Sequence, residues 1–187
     1  MKIIAFTGAG ISKSAGIPTF EETTGIKEKL SVEFKESNPK EFLEAINLLK
    51  QNVKDKEPTK AHKRLAKLQI PIITMNVDNL HTKAGSQNVI ELHGNYLQDN
   101  IVLYGQEMHD SDKAIKLIQD TAKSAKENKE KAILLVIGTS MQTAFANILV
   151  LIARANGMKD LYIDKNADVE VEEFFNLVKL EKYIQGH

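Results

Sequence analysis

Four short stretches of this chain carry residue types that do little for a core and much for chemistry. The first, FTGAGISKSAGIPTF from Phe6 to Phe20, sets Gly8, Ala9, Gly10 and Ser12 directly behind an apolar run. Glycine there admits positive φ and lets a phosphate approach without a Cβ in its path, and a hydroxyl at a helix start sits where the dipole favours an anion. The second, TMNVDNLHTKAG, places Asn76 and Asp78 two residues apart, on one side of an extended chain. The third, NVIELHGN, puts His93 beside a glycine, and imidazole titrates near neutrality, so it can take and return a proton. The fourth, LLVIGTSMQT, supplies Gly138, Thr139 and Ser140. The first stretch by itself completes no known phosphate signature. It lacks the lysine and hydroxyl of a GxxxxGK[ST] loop, and Lys13 takes the third glycine position of a dinucleotide fingerprint. Gly16, Ile17 and Pro18 then stop the helix after little more than a turn, leaving a loop that ends at Phe20 and can act as a lid.

The elements that must position these residues are legible as alternating patterns. Apolar, β-branched runs at Ile3–Phe6, Ile70–Met75, Val89–Leu92, Ile101–Tyr104, Ala132–Ile137 and Leu161–Ile163 are nearly continuous, as parallel strands covered on both faces require. Helical patterns separate them. PKEFLEAINLLKQNV sets Phe42, Leu43, Ile46, Leu49 and Val53 on one face, and TKAHKRLAKL follows. DSDKAIKLIQDTAKSAKENKEK has Ser111 or Asp112 as its cap, and AFANILVLIARA and DVEVEEFFNLVKLEKYI complete the set. The alternation predicts an α/β fold: a Rossmann-like, doubly wound parallel sheet with helices on both faces, residues 1–187 forming one domain. In such a sheet Asn76, Asp78, His93 and Gly138–Ser140 all fall at the carboxyl ends of strands, where ligands bind.

Composition narrows the partners. Across 187 residues the formal net charge is zero, which gives no electrostatic footprint for nucleic acid or an anionic membrane. The lysine runs at 50–67 and 113–131 are mixed with acids and read as solvated helix faces. With no cysteine there is no disulfide, thiolate nucleophile or thiolate zinc site. MKIIAFTG leads straight into the first motif without a signal-peptide core, and FANILVLIARA is too short to span a bilayer, so a cytoplasmic protein is expected.

Taken in order, GAGISKSAGIPTF, TMNVDNLH, GSQNVIELHG, IVLYGQE and VIGTS resemble the sirtuin family of NAD-dependent protein deacylases, over roughly residues 2 to 150. The resemblance implies NAD as the cofactor and an acylated protein or peptide as the substrate. It implies that Gly8, Ala9, Gly10 and Ser12 line the phosphates, with Thr139 and Ser140 toward the adenosine side beside Gly138. Asn76 and Asp78 would position the nicotinamide ribose and the carboxamide. His93 would be the general base, drawing a proton from a ribose hydroxyl once an acyl oxygen has attacked the anomeric carbon. Phe20 would shield the vacated nicotinamide position, and Val102, Leu103, Tyr104 and Gly105 would form an exposed strand that the peptide joins by β-augmentation.

The chain also departs from that family. The four-cysteine zinc lobe is missing, because HGNYLQDNIVLYG joins the histidine segment directly to the LYG strand, and the helical flap, about residues 21–69, is abbreviated. No metal is expected. Thr19 and Glu21 stand where the family has the aspartate and arginine of GIPDFR, Met75 replaces the glutamine of TQN, and Gln106 replaces the glutamate of FGE. Asp164, in LYIDKN, can accept from a ribose diol as an acid does in Rossmann sites. The leading expectation is a lysine deacylase that transfers the acyl group to ADP-ribose with release of nicotinamide. NAD hydrolysis or ADP-ribosyl transfer through an opened cleft, and NAD or ADP-ribose binding without turnover, stand beside it. An ordinary dehydrogenase lacks its third glycine and a hydride-substrate site.

Overall fold

The structure is a computed structural model that describes residues 1–18, 22 and 25–185, with side chains through Glu181. Phe20, the lid residue, lies outside the described residues, as do Thr19 and Glu21. Five strands form one sheet: β1 (Lys2–Thr7), β2 (Ile72–Thr74), β3 (Val89–Glu91), β4 (Ala132–Ile137) and β5 (Lys159–Ile163). The helices of the described residues are α1 (Ile26–Lys29), α2 (Val32–Ser37), α3 (Pro39–Lys54), α4 (Lys60–Lys67), α5 (Leu80–Lys83), α6 (Ser111–Glu127), α7 (Ala144–Ala155) and α8 (Ala167–Gln185). The strand order is β3-β2-β1-β4-β5, with every neighbouring pair parallel. The chain therefore winds outward from β1 in one direction and then, after β3, in the other. That reversal opens a crevice beyond the ends of β1 and β4.

Side-chain alternation along the central strands builds two cores. β4 reads AILLVI and is buried throughout. Ala132, Leu134 and Val136 pack with Ile4 and Phe6 under Ile118 of α6 and Leu149 of α7. Ile133, Leu135 and Ile137 face the other way, with Ala5 and Ile72 under Leu65 of α4 and Val171 and Phe175 of α8. The doubly wound architecture follows from this period of two in strands that are apolar on both faces. Helix starts are set by hydroxyls: Ser31, Thr59 and Thr143 accept from the amides of Phe34, His62 and Ala146. Pro39 occupies the first turn of α3, where its missing N–H costs nothing.

A third apolar cluster lies apart from the sheet. Ile26, Leu30, Phe42, Ala45, Ile46 and Val53 of the α1–α3 segment pack on Val77, Tyr96 and Leu103. These helices fall within the segment 21–69 expected as an abbreviated flap. Ala61 and Leu65 of α4 are fully buried against the sheet, so α4 belongs to a sheet layer.

Three further expectations need correction. Leu43 is 59% exposed, because it stands about 100° around the helix from Phe42 while Ala45 takes the inward place. The cap of α6 is Asp110, at φ 51°, rather than Ser111 or Asp112, and its carboxylate pairs with Lys113 at 2.7 Å. Ile101–Tyr104 is not a strand of the sheet. It runs extended beside the α1–α2 junction, forming an isolated bridge to Ser31, because the Leu30 carbonyl and the Val32 amide claim the Tyr104 backbone at 2.9 and 3.1 Å.

Candidate active site

A cleft of about 1040 Å³ opens over the carboxyl ends of β1, β2, β4 and β5. Gly8, Ala9 and Gly10 form one wall, and Gly138, Thr139 and Ser140 the next. Asn76 and His93 face it from the β2 and β3 side, Asp164 from the end of β5, and Val102, Leu103, Tyr104 and Gly105 from the extended segment. That volume lies at the upper end of small-molecule sites, and suits a dinucleotide together with a side chain.

The glycines earn their positions by a different route from the one their order suggests. A Cβ on Gly10 would come within 2.6 Å of Gly138 Cα, and one on Gly8 within 2.8 Å of the Gly138 carbonyl. The two loops cross backbone on backbone. The Gly10 and Gly8 amides donate to the carbonyls of Gly138 and Ile137 at 2.7 and 3.0 Å. Gly138 itself sits at φ 59°, the left-handed region that glycine enters without strain. The crossing brings the short 3-10 helix Ala9–Ala15 and the amino end of α7 to one crevice. Helix starts of this kind carry partial positive charge.

Beneath this floor Ser12, Asn76 and Asp78 form one buried cluster. The Ser12 hydroxyl donates to Asp78 Oδ2 at 2.6 Å, and Asn76 Nδ2 donates to Ser12 Oγ at 3.1 Å and to Asp78 Oδ2 at 3.3 Å. Asp78 Oδ1 accepts from the Leu80 amide at 3.0 Å. All three are buried, but Asn76 lines the cleft while Ser12 and Asp78 do not, so these two sit behind it. The carboxylate can only accept, which fixes the orientation of the Asn76 amide. Its Nδ2 end is spent inside, and among the described residues Oδ1 takes no hydrogen bond; that acceptor is the end left for a ligand.

His93 follows β3 and is half-buried. Burial pushes its imidazole below the ordinary histidine value, and the nearby His109 adds to the shift. The ring is therefore neutral at neutral pH, the state a general base needs. Its position is set by a tight return of the chain. Gly94 has φ 72°, and a Cβ there would lie 2.0 Å from the Asn100 carbonyl. Asn95, fully buried, donates from Nδ2 to Asn79 Oδ1 and Glu91 Oε1 at 2.9 and 3.0 Å, and accepts from the Leu97 amide. The Asn95 amide donates to Asn100 Oδ1, which closes the loop.

The segment 101–105 lines the cleft, and three of its amides are engaged. The Val102 amide goes to the His93 carbonyl, the Leu103 amide to Gln106 Oε1, and the Tyr104 amide to Leu30. These bonds leave fewer of the open N–H groups that a peptide strand joining by β-augmentation uses.

Several cleft residues are not among the site candidates that the sequence points to. Lys13, paired with Glu22 at 3.3 Å, stands at the mouth; Tyr96, Met108 and Phe145 supply apolar wall. Met75 lines the cleft with its sulfur 3.6 Å from the Thr143 hydroxyl. A Thr one residue before the α7 run is a capping signal that sequence alone offered; the wall residues offered none. Among the described residues no group of three or more histidines and acids has metal-ligand geometry, and no helix is long and apolar enough to cross a membrane.

An open parallel sheet of this order, with its cleft at the switch point between two glycine turns, defines a Rossmann-like α/β protein. Comparison with known proteins gives the family. The Sir2 family model matches residues 8–108. An NAD-dependent protein deacetylase of Sulfolobus acidocaldarius is 30% identical in an alignment covering 96% of this chain and 84% of that protein. One of Saccharolobus solfataricus is 44% identical over 110 residues, an alignment that takes in 54% of this chain and 44% of that protein's length. A solved structure of Sir2 bound to acetylated peptide superposes with a TM-score of 0.77 at 26% identity, covering 98% of this chain and 94% of the other. The chain belongs to the Sir2 family.

Proposed function

We propose that this protein is an NAD-dependent protein lysine deacylase of the sirtuin type, transferring the acyl group to ADP-ribose with release of nicotinamide. The observation that carries the reading is the convergence of a neutral His93, the Asn76 Oδ1 acceptor and the crossed glycine loops on one cleft. The names of the relatives and the acetylated peptide held by a structural neighbour support the same substrates. NAD brings a glycosidic bond whose cleavage frees nicotinamide and leaves an electrophilic anomeric carbon.

The chain's own residues then have distinct tasks. Asn76 Oδ1 accepts from the bound sugar or carboxamide, while Ser12 and Asp78 hold its amide still. The glycine turns and the amino end of α7 take the phosphates, and Asp164 the adenosine-side diol. His93 removes a ribose hydroxyl proton, and the apolar wall of Tyr96, Leu103 and Phe145 keeps water from the sugar. The proposal includes a cytoplasmic location and neither nucleic-acid nor membrane partners, for which the zero net charge is the support.

The test is nicotinamide release from NAD with and without an acetylated peptide. Release that requires the peptide supports the deacylase; release independent of it transfers the proposal to NAD hydrolysis or ADP-ribosyl transfer. One observation favours that second reading: the engaged amides of Val102, Leu103 and Tyr104 weaken strand addition by a peptide. Tight binding without release would reduce the protein to an NAD or ADP-ribose sensor.

A further inference from the structure

The loop that carries Asn76 leaves β2 at Thr74 and enters α5 at Leu80, and a buried trio of side chains joins its two ends. The Thr7 hydroxyl donates to Thr74 Oγ1 at 2.8 Å and lies 2.9 Å from His81 Nε2. Thr7 and Thr74 are direct partners across the β1–β2 pairing, and His81 sits in the first turn of α5. Thr7, Thr74 and His81 are at most 2% exposed. One arrangement of their protons uses every one of these contacts. In it Thr7 gives its hydrogen to Thr74 and accepts from the Nε2–H tautomer of His81. Thr74 has its own hydrogen turned toward the Thr7 carbonyl, and its oxygen is left to accept. What it accepts, besides Thr7, is the backbone amide of Asn76 at 3.0 Å. That bond spans two residues and turns the chain out of the strand direction, so Asn76 leaves the ladder and faces the cleft.

We propose that Thr74, oriented by Thr7 and His81, is a positioning residue for Asn76: the trio clips both ends of the 75–80 loop and thereby presents Asn76 Oδ1 to the cleft. Ser12 and Asp78 hold the side chain of Asn76, and the clip holds its backbone. A hydroxyl is required at position 74, whereas the methyl is not. The kinetic part of this inference rests on the deacylase reading; the structural part does not.

The experiment compares wild type with Thr74→Val, which keeps the shape and removes the hydroxyl, and Thr74→Ser, which keeps the hydroxyl. Backbone amide exchange at Asn76, read by NMR, should accelerate at least about tenfold in Thr74→Val and stay near wild type in Thr74→Ser. The kcat for nicotinamide release should fall roughly ten- to hundredfold in Thr74→Val with the KM for NAD little changed, and Thr74→Ser should restore it. If Thr74→Val does not fold, Thr7→Val removes the same orientation from the neighbouring strand. Wild-type exchange at Asn76 in the valine variant, or accelerated exchange with an unchanged kcat, overturns the positioning role. If the wild type releases no nicotinamide under any condition, the deacylase reading fails, and the exchange measurement alone decides whether the clip exists.

Discussion

His93 is the residue on which the proposed chemistry turns, and its environment dictates two measurable consequences. His93→Ala should lower acyl transfer about a hundred- to ten-thousandfold, the usual loss for a general base, with NAD affinity nearly intact. Nicotinamide release should survive in part in that variant, whereas Asn76→Ala should damage both steps. Equal deacylation by wild type and His93→Ala would exclude the mechanism. Burial lowers the His93 pKa, so the acid limb of kcat/KM should fall below the ordinary histidine value of about 6.5. Gly10 makes a separate point at the same scale. The space beside it is filled by Gly138, 2.6 Å from where a Cβ would sit. Gly10→Val should therefore lose stability together with NAD binding, by about 2 kcal/mol or more. Thermal melts alongside calorimetry check this: lost affinity at an unchanged melting temperature would return the position to the ligand's path.

At the scale of elements, the connection from β3 to the 101–105 segment is short and is closed by its own side chains. Its ten residues between His93 and Tyr104 hold one 3-10 turn, Tyr96–Gln98. Asn95 knots it by tying Asn79, Glu91 and Leu97 together. Replacing Asn95 by alanine leaves those groups unpaired where they are partly buried, and a loss of about 1–3 kcal/mol in urea denaturation is expected. A neutral result would mean that the loop is held by its apolar contacts, Tyr96 against Val77 and Leu103. Asp168 plays a comparable part at the head of α8. Burial opposes its charge, but the Ala61 amide and the Ser14 and Thr59 hydroxyls more than offset this and lower its pKa. It thereby couples α8 to α4 and to the glycine-loop helix.

The whole molecule inherits an acid sensitivity from the pair of histidines between β2, α4 and α5. The His62 and His81 rings lie 4.5 Å apart, and among the described residues His62 Nε2 and His81 Nδ1 have no hydrogen-bond partner. Burial holds both neutral: His62 is lowered to about 4, despite the pull of Asp78 and Asp168, and His81 falls well below its usual range. The unfolded chain takes up these protons near pH 6.5 and the folded chain does not. Stability is therefore full above pH 6.5 and is lost as pH falls toward 4, by an amount on the order of 3 kcal/mol from His62 alone. Denaturant titrations at pH 7 and pH 5 measure it; a flat profile would show that the pair takes up its protons in the fold as readily as in the unfolded chain. Metal analysis of purified protein is expected to find no stoichiometric zinc, since the chain offers no cysteine.

The sequence by itself determined the strand–helix alternation, the doubly wound sheet and the family, because the five strands and the helices α3, α4, α6, α7 and α8 each carry a local pattern and each motif is contiguous. It also placed Gly8, Asn76, His93 and Gly138 on one sheet edge, since strand ends in a parallel sheet share an edge whatever the order of strands. The tertiary structure alone decided what those residues do there. Gly10 is glycine because another loop crosses it, Ser12 faces Asp78 instead of the cleft, and Leu43 points outward because Ala45 fills its place. The Ile101–Tyr104 run reads as a strand by composition, yet Leu30 and Val32 capture its backbone before the sheet can. Such outcomes depend on which distant backbone arrives at 3 Å, and a local period carries no record of that.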